Sequence, residues 1–317
     1  MSLTKLEIFL KTVEMGNLSR AAEALNLTQS GVSHAIRSLE LEYGFQLLLR
    51  NKTGVRLTEN GERVLTHVRE VVNHNERLKQ TVADINGIVA GTLRIGTFTS
   101  VSIHWLPTII HRFRLEHPRI EIKLMEGDYG MIETWIQQGV IDLGFMSLPS
   151  SGHLESIPLR KDRMLCILPK NHSLSKQSII QYDQLEKEPF IMPASSCGYD
   201  VRKVLEAARV QLDIQFETGD DHVIVAMVEN GLGISVMSEL ALQGQSENVT
   251  IVELEDKPVR SLGLSLTSIK HALPATKRFI EYTQKWLDGD CIYRQSKQNQ
   301  QSMIFRPYRG SSTYPST

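Results

Sequence analysis

The sequence predicts an α+β chain of several domains: a helix-turn-helix with a small β wing, one long helix, and two α/β lobes. Three observations carry this. Residues 17–61 read as two short helical patterns joined by a tight turn, followed by a short basic ribbon. Residues 64–85 repeat apolar side chains by four and three, over about three heptads. From Thr92 onward, strand and helix patterns alternate through two successive runs of similar make-up. At 317 residues the chain also exceeds one comfortable core.

Residues 4–15 open with Thr4-Lys5-Leu6-Glu7, a capping-box pattern, and carry Leu6, Phe9, Leu10 and Val13 along one face. Ser19 is an N-cap candidate for the next helix, which holds Ala21, Ala22 and Leu25. The two small alanines permit the close helix crossing that a helix-turn-helix needs. Asn26-Leu27 interrupts the period, and Thr28 caps a second helix through Val32, Ile36 and Leu39. Gln29, Ser30, Ser33, His34 and Arg37 fall on its opposite face, where side chains reach base edges and phosphates in a major groove. Gln46–Leu49 and Gly54–Leu57 then flank Arg50-Asn51-Lys52, a wing that places charge on the DNA backbone. The bare pattern also fits an ordinary three-helix domain with a polar outer face.

The segments AAEALNLTQSGVSHAIRSLE and LLLRNKTGVRLTENG, with the layout that follows, resemble LysR-type transcriptional regulators over residues 1–288. The resemblance implies a winged helix-turn-helix at residues 1–58 that binds double-stranded DNA at an interrupted palindrome. Its DNA-contact set is Ser19, Arg20, Thr28, Gln29, Ser30, Ser33, His34, Arg37, Arg50 and Lys52. It also implies a homodimer that assembles to a homotetramer, with RNA polymerase a further candidate partner. Ser30-Gly31, His34 and Leu48 depart from the residues common in the family, and His34 bears on the preferred base sequence.

Thr58 is the N-cap candidate for the long helix of residues 59–88. Val64, Val68, Val71, Asn75, Leu78, Val82 and Ile85 form an a/d seam, read as a dimerisation face, with Asn75 fixing register. A long helix lying on its own domain is the alternative; the resemblance implies paired linker helices. Gly87 and Gly91 punctuate the exit.

Residues 89–288 are read as one two-lobed domain: lobe I at about 92–162 and 266–288, lobe II at about 163–265. TLRIGTF, IEIKLME and IDLGFM are the first strands, with Pro118 and Gly139 ending the helices between them. PFIMP, DIQFET and LGISVM repeat the theme, and a last helix spans Ala275 to Trp286. This resembles the two-lobed fold of periplasmic binding proteins. Residues 289–317, polar and rich in Ser and Gln, are read as a disordered tail.

In open α/β sheets, ligands gather beyond the carboxyl ends of strands, near helix N-termini. Thr97, Thr99 and Ser100, Ser147, and Ser195 and Ser196 occupy such positions, and the resemblance implies that these loops hold a small polar or anionic metabolite. N-capping alone also explains a hydroxyl there. Asp221 is the N-cap candidate of its helix, and Gly231-Leu232-Gly233 is a near miss for a dinucleotide fingerprint, read as a helix end.

Cys166, Cys197 and Cys291 are too few and too scattered for a disulfide framework or a zinc site. Redox sensing through Cys197 remains an alternative, as does a constitutive DNA-binding oligomer without effector. No metal or cofactor motif and no catalytic motif is present, so no enzyme is expected. With a net charge of -1, DNA binding must rest on local charge. The lack of an apolar run or secretory leader points to a cytoplasmic protein with no membrane partner.

Overall fold

The computed structural model describes residues 2–51, 54–88, 90–194, 196–244 and 249–304. The first unit comprises α1 (Leu3–Met15), α2 (Leu18–Ala24), α3 (Gln29–Tyr43) and the antiparallel pair β1 (Leu48–Asn51) and β2 (Gly54–Leu57). Leu6, Phe9, Val32, Ile36, Leu39 and Leu47 form its fully buried core, and Ala21 and Ala22 sit buried where α2 meets its neighbours.

Two capping expectations change here. Asn17, not Ser19, caps α2: its Oδ1 accepts from the backbone N–H groups of Ser19 and Arg20. Asn17 is the residue with extended backbone, so its side chain is the one that reaches back over the first turn. The Thr4 capping box does not form, because α1 already starts at Leu3 behind Ser2. Thr28 caps α3 as expected, accepting from Gly31 N–H.

The long helix α4 (Glu59–Ile85) is capped by Thr58, which accepts from Gly61 N–H at 2.9 Å. The expected seam divides. Val68 is buried in the core of the first unit and Val64 packs against it, whereas Val71, Leu78, Val82 and Ile85 are 41, 64, 49 and 79% exposed. A seam read from periodicity alone does not register that its first turns already face α1.

The rest of the chain forms two lobes. In order these elements are β3 (Gly91–Thr97), α5 (Thr99–His104), α6 (Leu106–Glu116), β4 (Ile120–Glu126), α7 (Tyr129–Gln137), β5 (Leu143–Leu148) and β6 (Glu155–Pro169). They continue with β7 (Ile179–Ile180), α8 (Tyr182–Leu185), β8 (Pro189–Pro193), α9 (Ser196–Ala207), β9 (Asp213–Thr218) and α10 (Asp221–Glu229). The last are β10 (Ser235–Ser238), β11 (Val249–Leu254), β12 (Val259–Leu266) and α11 (Pro274–Ile304).

Lobe I has the strand order β4-β3-β5-β12-β6, with β3 parallel to β4 and β5, and β12 antiparallel to both its neighbours. Strand β6 belongs to both lobes. Its first half pairs with β12, and its second half pairs with β10 and β11. In lobe II, β11 also pairs with β7, while β8 pairs with β9 and is bridged through Phe190 to Ile234, the residue just before β10.

The chain therefore returns to lobe I by Ser261, earlier than the expected 266, because β12 pairs with β5 from Ser261 to Ser265. The expected single helix after β3 is split into α5 and α6 at Trp105. Asp220 rather than Asp221 caps α10, accepting from His222 and Val223 N–H, and Asp221 is buried one residue inside. Helix α11 runs on to Ile304, through a stretch read as disordered: Lys, Gln and Arg there are good helix formers, and no proline intervenes before Pro307. Residues 305–317 of the expected tail lie outside the described residues.

Helix α4 is fastened to lobe I. Asn73 Nδ2 donates to Gly139 O (2.9 Å), Gln80 Nε2 donates to Thr92 O (3.3 Å), and Arg278 pairs with Asp84 at 3.0 Å.

Candidate functional site

Two sites follow from this architecture, one on α3 and one between the lobes. Because Val32, Ile36 and Leu39 anchor α3 from below, its opposite face is fixed outward. Gln29, Ser30, His34 and Arg37 are exposed there, with Ser33 half-buried. Thr28 Oγ1 lies 3.0 Å from Ser30 Oγ, so the cap also holds the first polar side chain of that face. Ser19 and Arg20 stand exposed on the first turn of α2.

The wing is tied to the same face. Arg50 Nη1 donates to Ser33 Oγ at 2.9 Å and its Nη2 lies 4.0 Å from Glu40 Oε2, while Glu40 Oε1 accepts from Leu47 and Leu48 N–H. Arg50 is thus oriented by α3 and not splayed into solvent. Lys52 lies outside the described residues. Arg56, exposed on β2 opposite Leu49, adds a cation that the sequence reading passed over. Its position two residues after Gly54, on the outward phase of a strand, is the signal that could have found it. The outer face of α3 and Arg50 gather hydrogen-bonding side chains and positive charge on one side of a small unit, which is the electrostatic footprint of a groove-reading domain.

Between the lobes lies a cleft of about 670 Å³, walled by Tyr129, Ser147 and Pro149 on one side and by Gly198, Tyr199 and Arg202 on the other. The two tyrosine rings meet edge to face across it, with centroids 6.2 Å apart. Arg202 is itself paired with Glu217. Helices α7 and α9 both begin at this cleft, so backbone N–H groups of two helix starts border it.

The expected ligand residues do not converge there. Ser147 lines the cleft, but Thr97 is buried and accepts from Ser102 Oγ, and Thr99 is exposed at the start of α5. Ser195 lies outside the described residues. Ser196 opens α9, and its side chain, like that of Cys197, is outside the description. None of the hydroxyls at α5 caps that helix, which begins behind Phe98 without a side-chain bond.

Ser100 has another role. It belongs to a buried network centred on Arg260, which sequence reading missed entirely. Arg260 Nε donates to Asp162 Oδ2 (2.8 Å), Nη1 to Tyr129 Oη (3.2 Å) and Asp200 Oδ2 (3.3 Å), and Nη2 to Ser100 Oγ (3.1 Å) and Ser238 Oγ (2.8 Å). The Tyr129 hydroxyl in turn donates to Asp200 Oδ2, and Leu240 N–H donates to Asp162 Oδ1. The guanidinium also stacks 5.4 Å from the centre of the Phe98 ring.

Burial holds the carboxyls of Asp162 and Asp221 above the usual range, outweighing the Arg260 charge that lowers both. Asp221 Oδ1 is buried without a hydrogen-bond partner beside this network. Cys166, inside β6, has its thiol pushed up to about 12 by burial, which makes it an unreactive core residue. Among the described residues, no group of three or more His, Cys, Asp and Glu is placed to hold a metal ion. Among them, too, no helix is long and apolar enough to cross a membrane.

Comparisons with known proteins match both parts of the chain to one family. Residues 3–62 match the family model of the bacterial regulatory helix-turn-helix protein, lysR family, and residues 86–288 match the LysR substrate binding domain. The uncharacterized HTH-type transcriptional regulator YvbU of Bacillus subtilis is 33% identical over 90% of this chain and 98% of that protein. A full-length OxyR variant from Pseudomonas aeruginosa superimposes with a TM-score of 0.74 at 22% identity, over 90% of this chain and 94% of that one. Full-length CbnR complexed with its target DNA gives 0.62 at 19% identity, over 90% and 99%. The chain belongs to the LysR-type transcriptional regulators, DNA-binding proteins with a substrate-binding domain, and is not an enzyme.

Proposed function

We propose that α3 reads an interrupted palindrome, with Gln29, Ser33, His34 and Arg37 at base edges and Arg20, Arg50 and Arg56 on phosphates. The observation that carries this is the exposed polar face of α3 with Arg50 bonded onto it through Ser33. Ser19, Thr28 and Ser30 flank that face and complete the backbone contacts, joined by Lys52. Two copies pair through the exposed stripe Val71, Leu78, Val82 and Ile85, with Asn75 in register, and pairs of dimers form a tetramer. A small polar or anionic metabolite occupies the interlobe cleft, with Ser147 and the N-terminal turns of α7 and α9 as its polar partners. The protein acts in the cytoplasm, where its DNA is.

The test is selection of binding sites from a random DNA pool, repeated with two variants. His34→Ala is expected to re-rank the selected sequences, since one base contact discriminates by about 1–3 kcal/mol. Arg56→Ala is expected to weaken every sequence alike and to flatten the salt dependence by about 0.9 in log–log slope. Equal losses on all sequences for both variants contradict the assignment. A thermal-shift screen of the full chain against small carboxylic acids, phosphorylated acids and sugars tests the effector site.

A further inference from the structure

The residues that converge on Arg260 come from both lobes. Ser100 and Tyr129 belong to lobe I elements α5 and α7, while Asp200 and Ser238 belong to α9 and β10 of lobe II. Asp162 faces Arg260 directly across the β6–β12 ladder, at the point where β6 passes from one lobe to the other. Five acceptor atoms surround the guanidinium, as many as it has N–H groups. Its side chain is 2% exposed, and those of Asp162 and Asp200 are 6% and 5%. Nothing of Arg260 is left over for a ligand, and Ser100 is already engaged.

Two of the network's members also build the cleft. Tyr129 walls it from lobe I, and Asp200 follows Gly198 and Tyr199, which wall it from lobe II. The bond from Tyr129 to Asp200 therefore sets the distance between the two walls, and Arg260 holds both ends of that bond.

We infer that Arg260 is a positioning residue that latches the two lobes at a fixed separation before any effector arrives. This rests on the reading of the interlobe cleft as the effector site. It assigns Ser100 to the latch and not to the ligand. Effector binding then fills a cleft whose width is already set, in contrast to a ligand that draws two free lobes together. A guanidinium is required for this, because an ammonium offers fewer donors and no planar fork.

The experiment measures the interlobe distance in the full chain without ligand. Spin labels are placed at Gln137→Cys on α7 and Lys203→Cys on α9, both exposed positions. The background carries Cys197→Ser and Cys291→Ser, and labelled protein is diluted into unlabelled protein so that distances within one copy are read. The unsubstituted latch is expected to give one narrow distance distribution. Arg260→Lys is expected to lose that single distance for a broad one. Tyr129→Phe, which keeps every charge of the network, is expected to broaden it in the same direction and decides the matter if Arg260→Lys does not fold. An already broad distribution with the latch intact, or an unchanged one in both variants, overturns the inference. A chain that binds no metabolite in the thermal-shift screen overturns the effector reading instead and leaves these distances as they are.

Discussion

Asp142 stands where α4 meets lobe I, and its surroundings set a testable pH response. Its Oδ2 accepts from Arg94 N–H at 2.7 Å, and its Oδ1 lies 3.8 Å from the Arg94 guanidinium. Burial nevertheless holds this carboxyl above its usual range, outweighing the charges of Arg94 and Arg77. A carboxyl with a raised folded value binds a proton more readily in the folded chain than in the unfolded one. Its contribution is therefore fully present below the unfolded value of about 3.9 and is lost as pH rises through the folded value. Asp142→Asn keeps an acceptor for Arg94 N–H and removes the titration. Its melting temperature relative to the natural chain should rise between pH 4 and pH 7; a difference constant with pH would contradict this. Neither Asp142 nor Arg260 announced itself in the sequence, since each is one charged residue among many until its neighbours are known. Gln29, His34 and Arg37 did, because the helical period alone puts them opposite Val32 and Ile36.

At the scale of elements, the caps show how far local sequence reaches. Thr28 and Thr58 were identifiable because each is a hydroxyl directly before a clear helical period. Asn17 and Ser19 are two good caps in close succession, and the backbone at Asn17 decided between them. Thr58 does more than cap. Its Oγ1 accepts from Gly61 N–H and donates to Gln46 O at 2.8 Å, so it joins α4 to the chain leading into the wing. Gly61 itself admits no side chain, because a Cβ would lie 2.2 Å from Leu47 O. Thr58→Ala should cost about 1–2 kcal/mol, read as a lower melting temperature of the DNA-binding unit, and Thr58→Ser should recover most of it. Equal stability of Thr58→Ala and the natural chain would show that the N-terminal turn of α4 has other support.

In the whole molecule, α4 joins the DNA-binding unit to lobe I. Its first turns complete the core under α3, its flank is bonded to Gly139 and Thr92 of lobe I, and its remaining apolar stripe faces outward. Leu78→Glu places a charge in the middle of that stripe and should shift the full chain towards single-chain mass in light scattering. Its far-UV circular dichroism should be unchanged, because Leu78 is 64% exposed within one copy and the fold of that copy does not depend on it. An unchanged mass would assign the association to another face. The sequence by itself determined the helix-turn-helix, the long helix and the alternation of strands and helices, since each rests on periodicities and turn residues that act between near neighbours in the chain. The tertiary structure alone decided the centre of the interlobe region. Arg260 meets Asp200 and Ser100 from 60 and 160 residues away, and it does so only because β6 and β12 lie side by side at the crossing between the lobes. A buried ion network leaves no period along the chain; it exists through strand pairing, and strand pairing is settled by the folded whole.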